Sequence, residues 1–182
     1  MMAIQKFYGY SDTGVVDEGV ALGRASCGLV RSSISKIPHN IRIASWNTAT
    51  LKGRSNEVVE AFSRRSIDIC CVQEVRWRGE SARLIEGKDT IYKLFWAGND
   101  QGCNGVGIFL AEKWIEKVFD ITRVSDRIML LKLILGEEIL TVISVYAPQT
   151  GLENSLKDSF YDTLQLLLAE LPSNEIIFLC GD

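Results

Sequence analysis

A strand–helix–strand pattern over residues 41–74 constrains the fold more than any other feature of the sequence. The segment IRIASWN (41–47) alternates apolar and polar residues, as half-buried strands do, and IDICCVQE (67–74) is apolar along most of its length. Between them, SNEVVEAFSRRS (55–66) has helical periodicity, with an apolar face formed by Val58, Val59 and Phe62. Strands connected through a helix usually pair in parallel, so the pattern predicts an α/β fold.

The rest of the chain adds further strands and one more helix. Strands are predicted at 104–114, 128–135, 139–146 and 175–182, and an amphipathic helix is predicted at 154–171. Residues 1–39 are rich in Gly and Ser and have no sustained strand or helix periodicity. We therefore expect residues 1–39 to form a disordered or loosely attached leader before a folded domain at 40–182.

Several predicted strands deliver a polar side chain at the point where their apolar run ends. These residues are Asn47, Glu74, Tyr146 and Asp182. In layered α/β folds, ligands bind where the ends of strands meet. Two carboxylates and a carboxamide that converge there would form an oxygen-rich site, which suits Mg²⁺ first and Mn²⁺ second.

Each of these four residues also has an ordinary structural explanation. Asn47 and Asp182 are common turn and cap residues at strand ends. Glu74 could be a surface charge, and Tyr146 a half-buried tyrosine of a sheet. Taken singly, none of them indicates a site, so the hypothesis depends on their occurring together.

Five short motifs, taken in order, resemble the endonuclease/exonuclease/phosphatase family. They are SWN (45–47), VQE (72–74), NGVGIF (104–109), VYAP (145–148) and LCGD (179–182). Within the family, the chain resembles the endonuclease domain of LINE-type retrotransposons and craniofacial development protein 2-like sequences. The resemblance runs from Ile41 to Asp182 and implies a four-layered sandwich, in which two β-sheets are flanked by helices.

The resemblance also implies a role for each of the four polar residues. Glu74 matches the principal metal-binding glutamate, and Asn47 matches the asparagine that arranges the metal and the phosphate. Tyr146 matches the tyrosine whose hydroxyl contacts the scissile phosphate. Asp182 matches the aspartate that orients or deprotonates the attacking water. The expected metal-associated set is therefore Asn47, Glu74 and Asp182, whereas Arg127 in SDRIML (125–130) is given no catalytic role.

The family pattern continues beyond the motif that ends this sequence. An asparagine follows the Gly-Asp pair two positions later, and a further aspartate and an adjoining histidine come much later. The only histidine here, His39, precedes the first predicted strand of the domain and cannot take that place. The resemblance thus implies the N-terminal part of a C-terminally truncated domain, inactive or nearly so as it stands.

Composition and charge narrow the remaining function classes. The net charge is −3, so the protein has no global basic field of the kind that drives non-specific DNA coating. The five cysteines are scattered and suggest no disulfide framework, which favours an intracellular, reducing compartment. Cys70, Cys71 and Cys180 lie in apolar runs and are expected to be buried as small hydrophobic residues. No apolar run is long enough to span a bilayer.

Three readings of function remain open at this point. The first is a metal-dependent phosphodiesterase that cuts DNA, in which the basic residues of 52–83 contact phosphates or simply form a solvated face. It would act in the nucleus. The second keeps the family but changes the substrate, as in an inositol phosphatase, a sphingomyelinase or an RNA-trimming enzyme. The third is a decayed retrotransposon fragment without catalytic activity.

Overall fold

The computed structural model describes residues 2–7, 26–31 and 40–182 and has two mixed β-sheets packed face to face. The first sheet has six strands in the order β1-β3-β4-β7-β6-β5, and the second has five in the order β2-β11-β10-β9-β8. The strands are Met2–Phe7 (β1), Ser26–Arg31 (β2), Ile41–Asn47 (β3), Ile69–Gln73 (β4), Glu80–Glu86 (β5), Ile91–Ala97 (β6), Val106–Ala111 (β7), Val118–Ser125 (β8), Ile128–Leu135 (β9), Glu138–Val145 (β10) and Ile176–Gly181 (β11).

Two helices cover the outer faces of the two sheets. Helix α1 (Ser55–Arg64) buries Val58, Val59 and Phe62 in the main core, where the Phe62 ring packs against Phe109. Helix α2 (Asn154–Glu170) packs on the second sheet, with Phe160 in a smaller core beside β9, β10 and β11. The α1–sheet–sheet–α2 order confirms the predicted four-layered α/β sandwich.

The strand pairing follows the predicted pattern in the central part of each sheet. Strands β3 and β4 are parallel, as the helix between them requires, and β10 and β11 form the other parallel pair. Every residue of β4 is buried, because α1 covers one face of the strand and the second sheet covers the other. Strands β10 and β11 pack on β3 and β4, and the C-terminal ends of all four strands lie at one edge of the sandwich.

The predicted leader differs from the structure in two short segments. Strand β1 pairs with β3, and β2 pairs with β11, both antiparallel. Neither segment has the periodicity of a half-buried strand, but each is paired through backbone hydrogen bonds to a strand of the core. The rest of the predicted leader, including His39, lies outside the described residues.

The expectation that the cysteines form no disulfide was wrong for one pair. The pairing of β2 with β11 places Cys27 directly opposite Cys180, with their Cα atoms 4.0 Å apart, and the two are joined by a disulfide. Cys70 and Cys71 are free and buried, as predicted. Over the part of the chain that is described, no helix has both the length and the apolar character needed to cross a membrane.

Candidate active site

The four predicted site residues lie at the same edge of the sandwich. Asn47 is the last residue of β3 and Glu74 follows β4, while Tyr146 follows β10 and Asp182 follows β11. The register makes these ends level, since Asn47 pairs with Gln73 and Val145 pairs with Gly181. A backbone hydrogen bond of 3.0 Å from Ala147 to the Asp182 carbonyl fixes the second pair of ends to each other.

A single amide group joins the two carboxylates of the site. Asn47 Nδ2 donates to Glu74 Oε1 at 2.9 Å and to Asp182 Oδ2 at 2.7 Å. Asn47 Oδ1 faces the other way and accepts a hydrogen bond from the Ala49 backbone N–H at 3.0 Å. In this arrangement Asn47 is a donor that brings the carboxylates together, and its predicted role as a metal ligand stays a prediction.

The backbone after β4 is bent so that Glu74 faces this point. Glu74 and Arg76 both have positive φ angles, of 57° and 55°, which cost a non-glycine residue about 1–3 kcal/mol. Two backbone hydrogen bonds offset this cost: the Val75 N–H donates to the Gly105 carbonyl, and the Arg76 N–H donates to the Asn104 carbonyl. Strain of this kind collects at functional sites, because ordinary packing gives no reason to retain it.

The protonation states of Glu74 and Tyr146 are set by their surroundings. Partial burial would raise the pKa of Glu74, but hydrogen bonds from Asn47 and Arg76 and the Arg76 charge outweigh it, so this pKa is lowered. Burial raises the pKa of Tyr146, and the Glu74 carboxylate adds to the effect. At neutral pH the site therefore holds an ionised Glu74 beside a protonated Tyr146 hydroxyl, which can donate a hydrogen bond to an anion.

Arg127 holds Tyr146 in place, and this contact was not predicted from the sequence. Its guanidinium lies over the Tyr146 ring, 5.0 Å from the centroid, and donates to the backbone carbonyl oxygens of Tyr146 and Ala147 at 3.2 and 3.4 Å. A third hydrogen bond, of 3.4 Å, reaches the Asn104 side chain. The only signal in the sequence was the resemblance of SDRIML to a family segment, which did not identify the contact with Tyr146.

The basic residues between Lys52 and Arg83 do not form one surface. Arg76 and Arg78 are exposed on the loop that follows Glu74, where Trp77 packs edge-to-face against Trp96 with their ring centroids 5.0 Å apart. Arg65, in contrast, follows α1 near the opposite end of β4, where its backbone oxygen accepts a hydrogen bond from Arg42. Of Arg65, Arg76 and Arg78, only the last two lie on the loop beside Glu74, where they could contact a ligand at the site.

The donor set of the site fits a hard divalent cation. Its two carboxylates and one hydroxyl offer only oxygen atoms, and the two carboxylates already point at one donor, Asn47 Nδ2. No group of three or more His, Cys, Asp or Glu side chains with metal-binding geometry occurs among residues 2–7, 26–31 and 40–182. A cation held here would therefore have two carboxylates at most and would complete its coordination with water or with a substrate phosphate.

No protein-family profile matches the chain, but curated relatives do. Craniofacial development protein 2 from Bos taurus is 27% identical over 142 residues, which cover 77% of this chain and 23% of the relative. The same protein from Tragulus javanicus is also 27% identical, with 24% of its length covered. The chain thus spans about a quarter of the length of the curated relatives that it matches.

Solved structures with a similar fold include two named as AP endonucleases and one named as TDP2. An AP endonuclease from Archaeoglobus fulgidus matches with a TM-score of 0.53 and 21% identity, over 77% of this chain and 56% of that one. A humanised TDP2 from D. rerio matches with a TM-score of 0.55 and 17% identity, over 77% and 60%. The AP endonuclease LMAP from Leishmania major gives 0.54 and 13%, over 76% and 53%. The chain covers about half of each of these structures.

Proposed function

Because the chain has the fold of the endonuclease/exonuclease/phosphatase superfamily, we propose that it is the N-terminal part of a metal-dependent phosphodiesterase domain that hydrolyses DNA. The observation that carries the proposal is the Asn47 amide, which draws the Glu74 and Asp182 carboxylates to a single point beside Tyr146. A purely structural asparagine would not need two carboxylates from different sheets as partners.

Each residue of the site has a role in the proposed reaction. Glu74 and Asp182 would hold the cation, Mg²⁺ or Mn²⁺, which would polarise a phosphoryl oxygen and offset its developing charge. Tyr146, whose hydroxyl is protonated at neutral pH, donates a hydrogen bond to a non-bridging oxygen of the scissile phosphate. Asp182 orients the attacking water and accepts its proton, and Asn47 keeps both carboxylates in place.

The choice of DNA as substrate rests on the similar proteins and on two basic side chains. The solved structures of similar fold are named as AP endonucleases and as TDP2, and one TDP2 structure contains a single-stranded DNA product. Exposed Arg76 and Arg78 follow Glu74 and can contact phosphates on either side of the scissile bond. A DNA substrate would place the protein in the nucleus.

We further propose that residues 1–182 by themselves cleave little or no DNA. The resemblance assigns an asparagine, an aspartate and a histidine of the site to positions after Asp182. Removing members of a cooperating catalytic set typically lowers the rate by several orders of magnitude. Nicking of supercoiled DNA by this polypeptide in Mg²⁺, at a rate that Glu74→Ala abolishes, would contradict this part of the proposal.

Magnesium binding can be tested without turnover, through the melting temperature. A ligand at one hundred times its dissociation constant stabilises the folded state by about 2.7 kcal/mol, which raises the Tm of a chain of this size by about 5–10 °C. We expect Mg²⁺ to raise the Tm of the wild-type protein and to have no such effect on Glu74→Ala. Glu170→Ala, an exposed glutamate at the end of α2, is the matched control and should respond like the wild type.

The same experiment separates the competing functions. Equal Mg²⁺ responses in the wild type and Glu74→Ala would contradict the metal site and favour a fragment without catalytic activity. A Glu74-dependent response leaves the substrate to be identified by competition. We expect a single-stranded oligonucleotide to bind in Mg²⁺ more tightly than an inositol phosphate or a phosphocholine lipid, and the reverse order would contradict DNA as the substrate.

A further inference from the structure

A groove lies next to the site and is lined in part by Arg127, the residue that stacks on Tyr146. Its walls are the turn between β8 and β9, the loop that follows β10, and the first half of α2, and its volume is about 330 Å³. This volume is within the range of small-ligand pockets. The groove and the site are contiguous, since Arg127 lines the groove while its guanidinium stacks on Tyr146, and Pro148 lines it two residues further along the chain.

The groove exposes large apolar side chains where a surface would normally be polar. Val124, Leu152 and Leu156 are 37%, 38% and 53% exposed, and all three line this one groove, with Phe160 buried beneath them. Scattered exposed apolar residues need no explanation, but several on one concave surface indicate a binding site. The hydroxyl-bearing Ser159 and Thr163 line the groove on its α2 side.

Two charged residues, Asp126 and Arg127, line the groove, and their side chains have different partners. All the hydrogen bonds that the structure gives to the Arg127 guanidinium end on neutral oxygens, namely two backbone carbonyls and the Asn104 amide. The neighbouring Asp126 carboxylate is instead engaged by Asn99 and Asn104, which donate to its Oδ2 at 2.8 and 2.9 Å. The positive charge of Arg127 is thus held between the groove and Tyr146, at the place where a phosphate would join the two.

We propose that this groove binds the nucleoside next to the phosphate that Tyr146 contacts, within a single strand of DNA. A nucleoside has flat apolar faces for the leucines, polar edges for the hydroxyls, and a phosphate on the side where Arg127 and Tyr146 lie. The assignment rests on the proposed function, because it takes Tyr146 as the phosphate contact. It adds a specificity-determining subsite, formed mainly by Leu152 and Leu156.

The subsite is tested by comparing two probes on the whole 182-residue protein. Thymidine 3′,5′-bisphosphate carries a nucleoside between two phosphates, whereas inorganic phosphate carries none. Isothermal titration in Mg²⁺ gives both dissociation constants and therefore their ratio. We expect the wild type to bind the bisphosphate more tightly than phosphate by tenfold or more, because the nucleoside would bury apolar surface against the leucines of the groove.

Matched leucines on one helix provide the variant and its control. Leu156→Glu places a charge in the groove, whereas Leu166→Glu places one on an exposed part of α2 outside it. Leu156→Glu should weaken bisphosphate binding about tenfold and leave phosphate binding unchanged, and Leu166→Glu should alter neither. Leu152→Glu, in the loop before α2, repeats the test without affecting the helix and should give the same result.

The failure of this subsite is distinguishable from the failure of the proposed function. If Leu156→Glu and Leu152→Glu bind the bisphosphate as tightly as Leu166→Glu does, the subsite assignment is overturned, whatever Glu74→Ala does. If Glu74→Ala leaves Mg²⁺-dependent phosphate binding unchanged, the proposed function is contradicted, and the leucine variants then report on the groove alone.

Discussion

Strands β4 and β11 each have an acidic residue at both ends, and the two ends differ in how the carboxylate is held. Asp68 and Glu175 lie just before β4 and β11, at the N-terminal or starting ends of these strands. Glu74 and Asp182 lie just after them, at the C-terminal or finishing ends. All four carboxylates accept hydrogen bonds. The comparison separates acids that serve the fold from acids that can serve a ligand.

At the starting ends, each carboxylate is paired with a lysine and with other donors. Asp68 is 5% exposed and binds Lys113 Nζ at 2.6 Å, Trp114 Nε1 at 3.1 Å and the Arg42 backbone N–H at 2.8 Å. Glu175 is 2% exposed and binds Lys132 Nζ and Thr141 Oγ1, each at 2.6 Å. Buried carboxylates need such partners simply to be tolerated.

At the finishing ends, two carboxylates from different sheets share one neutral donor. Asn47 satisfies one oxygen of Glu74 and one of Asp182, and both residues are only half-buried. The other Glu74 oxygen forms a salt bridge with Arg76, whose side chain is 46% exposed. Convergence of carboxylates, more than the presence of an acid at a strand end, therefore distinguishes a candidate site.

The largest effect is expected at the start of β11, where a charge would lose its partner. Lys132→Met removes the ammonium group from a pair whose side chains are 14% and 3% exposed, and it leaves Glu175 charged and buried. Loss of one partner of a buried pair costs about 3–5 kcal/mol. Urea unfolding at pH 7 should show this loss, and Lys132→Met combined with Glu175→Gln should recover most of it.

Lys117→Met serves as the control for this prediction, because Lys117 is exposed at the end of the short 3-10 helix Glu112–Lys117. It should change the free energy of unfolding by less than about 0.5 kcal/mol. An equal, small effect of both substitutions would mean that the starting ends are no more structural than the surface.

A somewhat smaller loss is expected at the start of β4. Asp68→Ala leaves the Trp114 indole N–H and the Arg42 backbone N–H without their acceptor, while the exposed Lys113 is easily solvated. Two unsatisfied buried donors cost about 1–3 kcal/mol each, but removing the buried Asp68 charge also removes its desolvation penalty, so we expect a net loss of about 2–4 kcal/mol. Urea unfolding measures it, and the Mg²⁺-induced rise in Tm should survive. A Mg²⁺ response that disappears in Asp68→Ala would remove the distinction between the two ends.

The smallest effect is expected at the finishing end of β4 and depends on pH. Arg76→Met removes a charge and a hydrogen bond that lower the pKa of Glu74, so this pKa should rise. A lowered folded-state pKa contributes stability above the unfolded-state value, near 4.5, and this contribution is lost as the pH falls through the folded-state pKa. For so exposed a pair it is about 0.2–1 kcal/mol. Carboxyl ¹³C titration of Glu74 between pH 2 and 7 tests the change, and identical titration curves would contradict it.

The central strands and the site residues could be predicted because their signals are local. Each of the four central strands, β3, β4, β10 and β11, combines an apolar run with one polar residue at its end. A strand that is buried on both faces must be apolar along most of its length, which makes it easy to recognise in the sequence. Strands β5, β6 and β8 were not predicted, although β6 is mostly buried and rich in strand-forming residues. Most residues of β5 are exposed, and β8 lies at the edge of its sheet, so neither needs the clear alternation of a half-buried strand.

Contacts between strands could not be predicted, because they depend on which strands become neighbours. Lys132 and Glu175 are 43 residues apart, and the Cys27–Cys180 disulfide spans 153. The orientation of the Asn47 side chain could not be predicted either. A turn at Ala49, with φ of 56°, holds Oδ1 and thereby directs Nδ2 to both carboxylates. The sequence indicated that Asn47, Glu74 and Asp182 meet, but not which atom of Asn47 faces the acids.

A Mn²⁺ titration followed by NMR tests the metal site most directly, since both kinds of strand end carry a reporter proton. The Asn47 side-chain amide donates to the carboxylates at the finishing ends, and the Trp114 indole N–H donates to Asp68 at a starting end. Paramagnetic Mn²⁺ at substoichiometric amounts should broaden the Asn47 signal and leave the Trp114 signal sharp. Equal broadening of both signals, or of neither, would contradict the claim that the finishing ends of β4 and β11 form a metal site.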